Sequence, residues 1–176
     1  REVGLAVGEP PAMKAYPPSV FALLPKLMER TGTGETGTIT GIYTVLVEAD
    51  DLTEPITDTV RSILDGHVVL SRSLAAENHY PAIDILQSVS RLMPAITSPE
   101  HQQMAGKVRE MMATYEKAKD LINIGAYAPG SNPQIDAAIK HMPAILQLLR
   151  QNAHEVSTYE AARQQLFDLF KGENPR

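Results

Sequence analysis

The sequence predicts an α/β fold: strands and helices over residues 1–97, an all-helical region over 98–171, and a frayed tail at 172–176. In the first part, β-branched runs alternate with segments of helical spacing, which implies parallel strands with helices packed on them. In the second, apolar residues recur every three to four positions with little interruption. Thr97-Ser98-Pro99 marks the change between the two.

The elements follow in order. After Tyr16-Pro17-Pro18-Ser19, the residues Val20, Leu23, Leu24 and Leu27 fall at helical spacing, with Ser19 as the candidate cap and an end near Thr31-Gly32. Residues 38–47 are rich in β-branched side chains and predict a mostly buried strand. A helix over 56–64 turns Val60, Ile63 and Leu64 inward, is capped by Asp51 or Thr53, and stops at Gly66; His67-Val68-Val69-Leu70 is a short strand. In the second part, Met104, Val108, Met111, Met112, Tyr115, Leu121 and Ile122 make one stripe. Ile135, Ile139, Met142, Leu146 and Leu149 make the next, behind an Asn132-Pro133 start signal. Val156, Tyr159, Ala162, Leu166, Phe167 and Phe170 make the last.

Composition narrows the function. The formal charge is −5, against a nucleic-acid binder, whose affinity rests on basic surface. Without cysteine there are no disulfides or thiolate metal sites, which fits a cytosolic protein. No apolar run approaches the ~20 residues that span a bilayer, and Arg1-Glu2-Val3-Gly4 does not open a secretory signal. A start on Arg rather than Met reads as a piece of a longer chain.

Gly32-Thr33-Gly34-Glu35-Thr36-Gly37 matches G-x-G-x-x-G by letters. A dinucleotide site needs a strand before it and a helix after it, and here the order is reversed, so a surface connection is expected. No G-x-x-x-x-G-K-[ST] is present, so this stretch has no cradle for the β and γ phosphates. The histidines lack metal-site spacing, and the methionines read as pliable core filler. Asp50 and Asp51 follow the predicted strand, where α/β sheets face ligand crevices, although a solvated turn is the commoner use of such a cluster. Tyr80 precedes Pro81, which holds it extended. It is either a plate for a flat base or a core residue. Arg91 stands among small and apolar residues in Ser88-Val89-Ser90-Arg91-Leu92-Met93. It needs a carboxylate or a phosphate, and the residues alone favour a structural ion pair.

Taken together, Gly8-Glu9-Pro10-Pro11-Ala12, Tyr16-Pro17-Pro18-Ser19-Val20-Phe21, Asp65-Gly66-His67-Val68-Val69-Leu70-Ser71-Arg72, His79-Tyr80-Pro81-Ala82-Ile83-Asp84 and Ser88-Val89-Ser90-Arg91 resemble the export ATPases of flagella and type III secretion systems. Those are relatives of the catalytic subunit of rotary ATP synthases. The resemblance covers residues 1 to about 169. It implies part of a RecA-like ATPase core followed by a helical C-terminal domain. It implies ATP and Mg2+ as cofactors, with the phosphate loop and metal ligands upstream. Tyr80, with Pro81, takes the place of the tyrosine that stacks on adenine; Arg91 takes the place of an arginine finger reaching a neighbouring subunit's nucleotide. Tyr43, Asp50 and Asp51 match the strand and loop near the catalytic face.

There are departures. Residues 125–132 carry no acids, unlike the synthase loop that meets its stalk. Leu148 and Ala153 stand near where the synthase places aromatics around adenine, and Met13 and Ala15 stand where Thr and Gly are expected. The implied function is a cytoplasmic homohexameric ATPase, peripheral at the membrane export gate. Its implied partners are stator-like and coiled-coil stalk proteins and chaperone–substrate complexes, not nucleic acid. The run over residues 121–127 leans flagellar. A second class is a non-catalytic module that binds chaperones or a stalk through its helices.

Overall fold

The computed structural model describes residues 1–171, so the expected tail at 172–176 lies outside the described residues. The chain divides into two compact units, Arg1–His67 and Val68–Arg176.

In the first unit, α1 (Glu2–Ala6) and a 3-10 turn at Met13–Ala15 lead to α2 (Pro18–Met28). Pro18 takes the first helical turn, where a missing N–H costs nothing. Ser19 therefore lies inside the helix and does not cap it. Its backbone N–H donates to Glu9 Oε2 at 3.1 Å, so a carboxylate from the preceding loop serves the helix end. Two short strands follow, β1 (Gly32–Thr33) and β2 (Thr38–Ile39). They pair antiparallel, Gly32 opposite Ile39 and Thr33 opposite Thr38, and Gly34 N–H donates to Gly37 O across the turn at 2.7 Å. The glycine-rich segment is a hairpin between strands. Its connection is far shorter than the dozen or so residues a parallel crossover requires, so this pair departs from the parallel layer expected.

The buried strand expected over residues 38–47 is cut short at Ile39. Ile42 is 94% exposed and Leu46 is 92% exposed. Strand propensity measures fit to a neighbouring pleated surface, and among the described residues only β1 pairs with this run. Next, α3 (Pro55–Ile63) is capped by Glu54, whose Oε2 accepts from Thr57 N–H at 3.2 Å. Pro55 fixes the helix start, which gives the capping place to Glu54 rather than Thr53 or Asp51. Val60 turns inward as expected, while Ile63 and Leu64 are only half-buried. The helices α2 and α3 pack on each other.

Strand β3 (Gly66–Leu70) straddles the division and pairs with β4 (Ile83–Ser90). Between them lies α4 (Arg72–Ala76); after them come α5 (Met93–Ile96), α6 (Pro99–Asn123), α7 (Pro133–Leu149) and α8 (Tyr159–Asp168). The Asn132-Pro133 start signal works as read, Asn132 accepting from Gln134 and Ile135 N–H; at the start of α6, Ser98 accepts from His101 N–H. Val108 from α6, Ile145 from α7 and Phe170 beyond α8 are buried together, with Met104, Met111, Met112, Leu149, Leu166 and Leu169 packed around them.

All three stripes need correction. On α6, Leu121 is exposed, while Ala118, outside the expected row, is buried. On α7, Ala138 and Ile145 are the most buried residues, both 0% exposed, and neither was in the expected row. This helix packs against both α6 and α8, so its inward arc is wider than a single stripe. On α8, Val156, Tyr159 and Ala162 are exposed, with Val156 at 93%. Val156 precedes the helix, and inward packing is confined to its C-terminal part, from Leu166 onward.

Ile145→Ala removes the centre of this cluster and should cost about 2–5 kcal/mol, whereas Val156→Ala should stay within about 0.5 kcal/mol of wild type. Urea midpoints at unchanged slope measure both.

Candidate nucleotide-contact site

Tyr80 is presented by the way α4 ends. Asn78 follows the helix cap in the left-handed region, φ 56°, which asparagine tolerates better than most residues. Its N–H donates to Ala75 O at 3.0 Å, and His79 N–H donates to Leu74 O at 2.9 Å. This paired closure turns the chain away from the helix axis. His79 is buried beneath, and the Tyr80 side of the turn is left outside, 53% exposed, next to exposed Pro81. Tyr80 is therefore not a core residue. On the far side, Ser71 N–H donates to Ala82 O at 2.9 Å. The carbonyl of Tyr80 itself accepts from Gln151 N–H, just beyond α7, at 2.8 Å.

Burial holds the His79 imidazole below its usual pKa of 6.5; the positive charge of Arg150 acts in the same direction and Glu77 opposes it. The fold thus favours the neutral ring over the charged one. Because the shift is downward, stability is full above the ordinary value and is lost as pH falls from there through the lowered native value.

Arg91 stands at the other end of β4, exposed, where the strand gives way to the turn before α5. That strand is held from outside. Arg109 of α6 donates through Nη1 to Ser88 O at 3.1 Å and through Nη2 to Leu86 O at 3.3 Å, a fork matched to carbonyls two residues apart. Asp84 Oδ1 accepts from Leu86 and Gln87 N–H, both at 3.0 Å. Ser88 Oγ accepts from Val69 N–H at 3.0 Å.

Tyr43, Asp50 and Asp51 belong to the first unit. The Tyr43 hydroxyl donates to Met28 O at 3.4 Å and meets Thr31 Oγ1 at 3.3 Å, tying it to the end of α2. Asp51 accepts from the Thr53 hydroxyl at 2.6 Å and from Lys14 Nζ at 3.1 Å. These hold its carboxyl down at about 2, the Thr53 hydroxyl contributing most. Non-glycine residues occupy the left-handed region on both sides of the Lys14–Asp51 pair: Lys14 and Ala15 at φ 47° and 62°, Ala49 and Asp50 at 53° and 60°. Such backbone persists only where its surroundings enforce it. Ala15, which stands where glycine was expected, adopts the conformation that glycine would supply without a Cβ clash.

Comparison with known proteins decides the family. Residues 1–90 match the ATP synthase alpha/beta family, nucleotide-binding domain, and residues 97–168 match the T3SS EscN ATPase C-terminal domain. The chain belongs to the ATP synthase alpha/beta family. It is 54% identical over 160 residues to the flagellum-specific ATP synthase of Bacillus subtilis, covering 91% of this chain and 36% of that protein. It is 50% identical over 169 residues to the SPI-2 type 3 secretion system ATPase of Salmonella typhimurium, covering 96% and 39%. Among solved structures, the assembled ATPase EscN from the enteropathogenic E. coli type III secretion system superposes with a TM-score of 0.92 at 48% identity, over 96% of this chain and 41% of that one. EscN in complex with its central stalk EscO gives 0.84 at 47%, over 96% and 40%. The chain thus spans little more than a third of the curated relatives' length. These likenesses establish the expected fold class, part of a RecA-like nucleotide-binding core followed by a helical C-terminal domain. Among the described residues, no helix is long and apolar enough to cross a membrane.

Sequence reasoning passed over Arg109 and Gln151. Arg109 had a weak signal, a cation beside the apolar row of α6. Gln151 had none, because it acts here through its backbone N–H.

Ala15→Gly should raise stability by about 0.5–1 kcal/mol, as the relieved Cβ clash outweighs the entropy that glycine loses; the urea midpoint reads it. Hydrogen exchange at residues 79–82 should quicken as pH is lowered below 6.5, once intrinsic exchange is corrected for, and His79→Gln should flatten that response.

Proposed function

We propose that this chain supplies two nucleotide contacts of a homohexameric ATPase that drives protein export through the flagellar or type III secretion apparatus. Tyr80, flanked by Pro81, stacks on the adenine of ATP bound to its own subunit. Arg91 reaches across the subunit boundary to the nucleotide held next door. The observation that carries this reading is their placement at opposite ends of β4, both exposed.

The residues fit the parts assigned to them. A half-exposed aromatic face on a segment pinned at both flanks is a plate for a purine, worth about 1–3 kcal/mol. An exposed guanidinium at a strand end can neutralise charge spread over a transferring phosphoryl group. Bound MgATP supplies that group and a cation to bridge its phosphates. Among the described residues there is no cluster of three or more His, Asp or Glu able to hold a metal, and the magnesium ligands are assigned to sequence upstream. Tyr43, Asp50 and Asp51 are assigned to a catalytic-face loop, which the Lys14–Asp51 pair keeps in shape.

EscN is assembled in one matched structure and bound to its central stalk in another. By that likeness, the partners proposed here are copies of the same chain and a central stalk; the family resemblance adds a stator-like regulator and chaperone–substrate complexes. The site of action is the cytoplasmic face of the membrane, at the export gate.

In the full-length protein, Arg91→Ala should lower kcat by about 10³-fold or more with assembly intact, and Tyr80→Ala should raise the KM for ATP by about five-fold or more. Steady-state hydrolysis with sizing of the assembly checks both. Wild-type turnover in Arg91→Ala would remove the finger assignment.

A further inference from the structure

The Tyr80 carbonyl is held by a part of the chain far away in sequence. Helix α7 ends at Leu149, and Arg150 leaves it in an extended conformation, φ −95°, ψ 137°. The next N–H, of Gln151, donates to Tyr80 O at 2.8 Å. The turn that follows is closed on itself. Gln151 Nε2 donates to Glu155 O at 2.9 Å, Asn152 N–H donates to Glu155 Oε2 at 3.1 Å, and Glu155 N–H donates to Asn152 O at 3.0 Å.

We infer that the turn over residues 150–155 is a positioning element for the Tyr80 ring, acting through the Gln151 N–H and kept in shape by Glu155. The inference rests on the proposal that Tyr80 stacks on a nucleotide base. Its physical basis is the peptide plane. The closure of α4 fixes the chain before Tyr80 through the Leu74–His79 bond. The Gln151 contact fixes the carbonyl after it. With both sides set, the direction in which Cα projects the ring is set as well. The ring is half-exposed, so packing constrains it less than a core residue would be. The backbone contacts then set the Cα–Cβ direction from which the plate is carried. Stacking depends on that direction, so loosening the turn weakens nucleotide binding while the reacting groups stay in place.

Two substitutions at one position isolate the N–H. Gln151→Ala and Gln151→Pro both lose the side-chain bond to Glu155, but only proline also loses the donor. The extended Arg150 backbone is the conformation a residue before proline prefers. In the full-length protein, Gln151→Pro should show a KM for ATP about ten-fold above that of Gln151→Ala, with kcat within about three-fold. In a Tyr80→Ala background the same proline should add less than about two-fold, because its route of action is gone. A merely structural fault would lower kcat and would persist in that background. Should the proline variant fail to fold, Glu155→Ala decides. It should raise KM by a few-fold with Tyr80 present and not without it.

Equal KM for the alanine and proline variants, or an effect that adds in full to Tyr80→Ala, overturns the inference. Where proline does not fold, an unchanged KM in Glu155→Ala overturns it. If Tyr80→Ala itself leaves KM unchanged, the base-stacking proposal falls and this inference falls with it. If Tyr80→Ala raises KM and the proline does not, only this inference falls.

Discussion

The backbone of β4 is held by hydrogen bonds from the helical region as well as by its pairing with β3. Strand β4 pairs with β3, yet Leu86 O and Ser88 O are taken by Arg109 of α6, and Tyr80 O, just ahead of the strand, is taken by Gln151 beyond α7. Asp84 turns the N–H groups of Leu86 and Gln87 inward onto its own side chain. The strand that carries Tyr80 at one end and Arg91 at the other is therefore positioned largely by the helical region. The same region is built around Ile145, where α6, α7 and the end of α8 meet. Apolar burial sets the helices, and polar contacts from the helices set the strand.

Much of this was legible from residue types. The helical half was readable because its signals are local: Asn132-Pro133 is a start signal whose side chain accepts from its own first turn, and Gly125, which opens the expected break, takes the left-handed place past α6 at φ 71°. Tyr80 and Arg91 were readable as a pair only through the resemblance. On the residues alone, Tyr80 could equally have been core, and Arg91 was better explained by an ion pair. What decided Tyr80 is Asn78, whose positive φ turns the tyrosine out and leaves His79 inside.

The failures share a physical cause. Ile42 and Leu46 have strand-forming side chains, but a strand exists only where a neighbour takes its ladder, and composition says nothing about the neighbour. Ile145 lay outside the expected α7 row because a single row assumes a single contact, and α7 has two. Ser19 and Thr53 are good capping residues by type, displaced because Pro18 and Pro55 set the helix starts two places and one place away respectively. Gln151 acts by a group that every residue except proline possesses, so no pattern could single it out.

The division of labour between the two helical anchors has a consequence for how the proposed motor is coupled. Arg109 belongs to α6 and holds the Arg91 end of β4; Gln151 follows α7 and holds the Tyr80 end. If α6 and α7 moved as one body, both ends would shift together. A change in the packing between α6 and α7 would instead shift Tyr80 relative to Arg91, and under the proposed function would alter hold on the subunit's own nucleotide and reach toward its neighbour's by different amounts. Densely packed cores resist graded deformation and favour discrete rearrangements. The methionines on the α6 face, Met104, Met111 and Met112, are the side chains best able to repack between such arrangements. Under the proposed function, a partner that engages the helical region and prefers one packing of α6 on α7 over another would bias the two proposed nucleotide contacts without touching either of them.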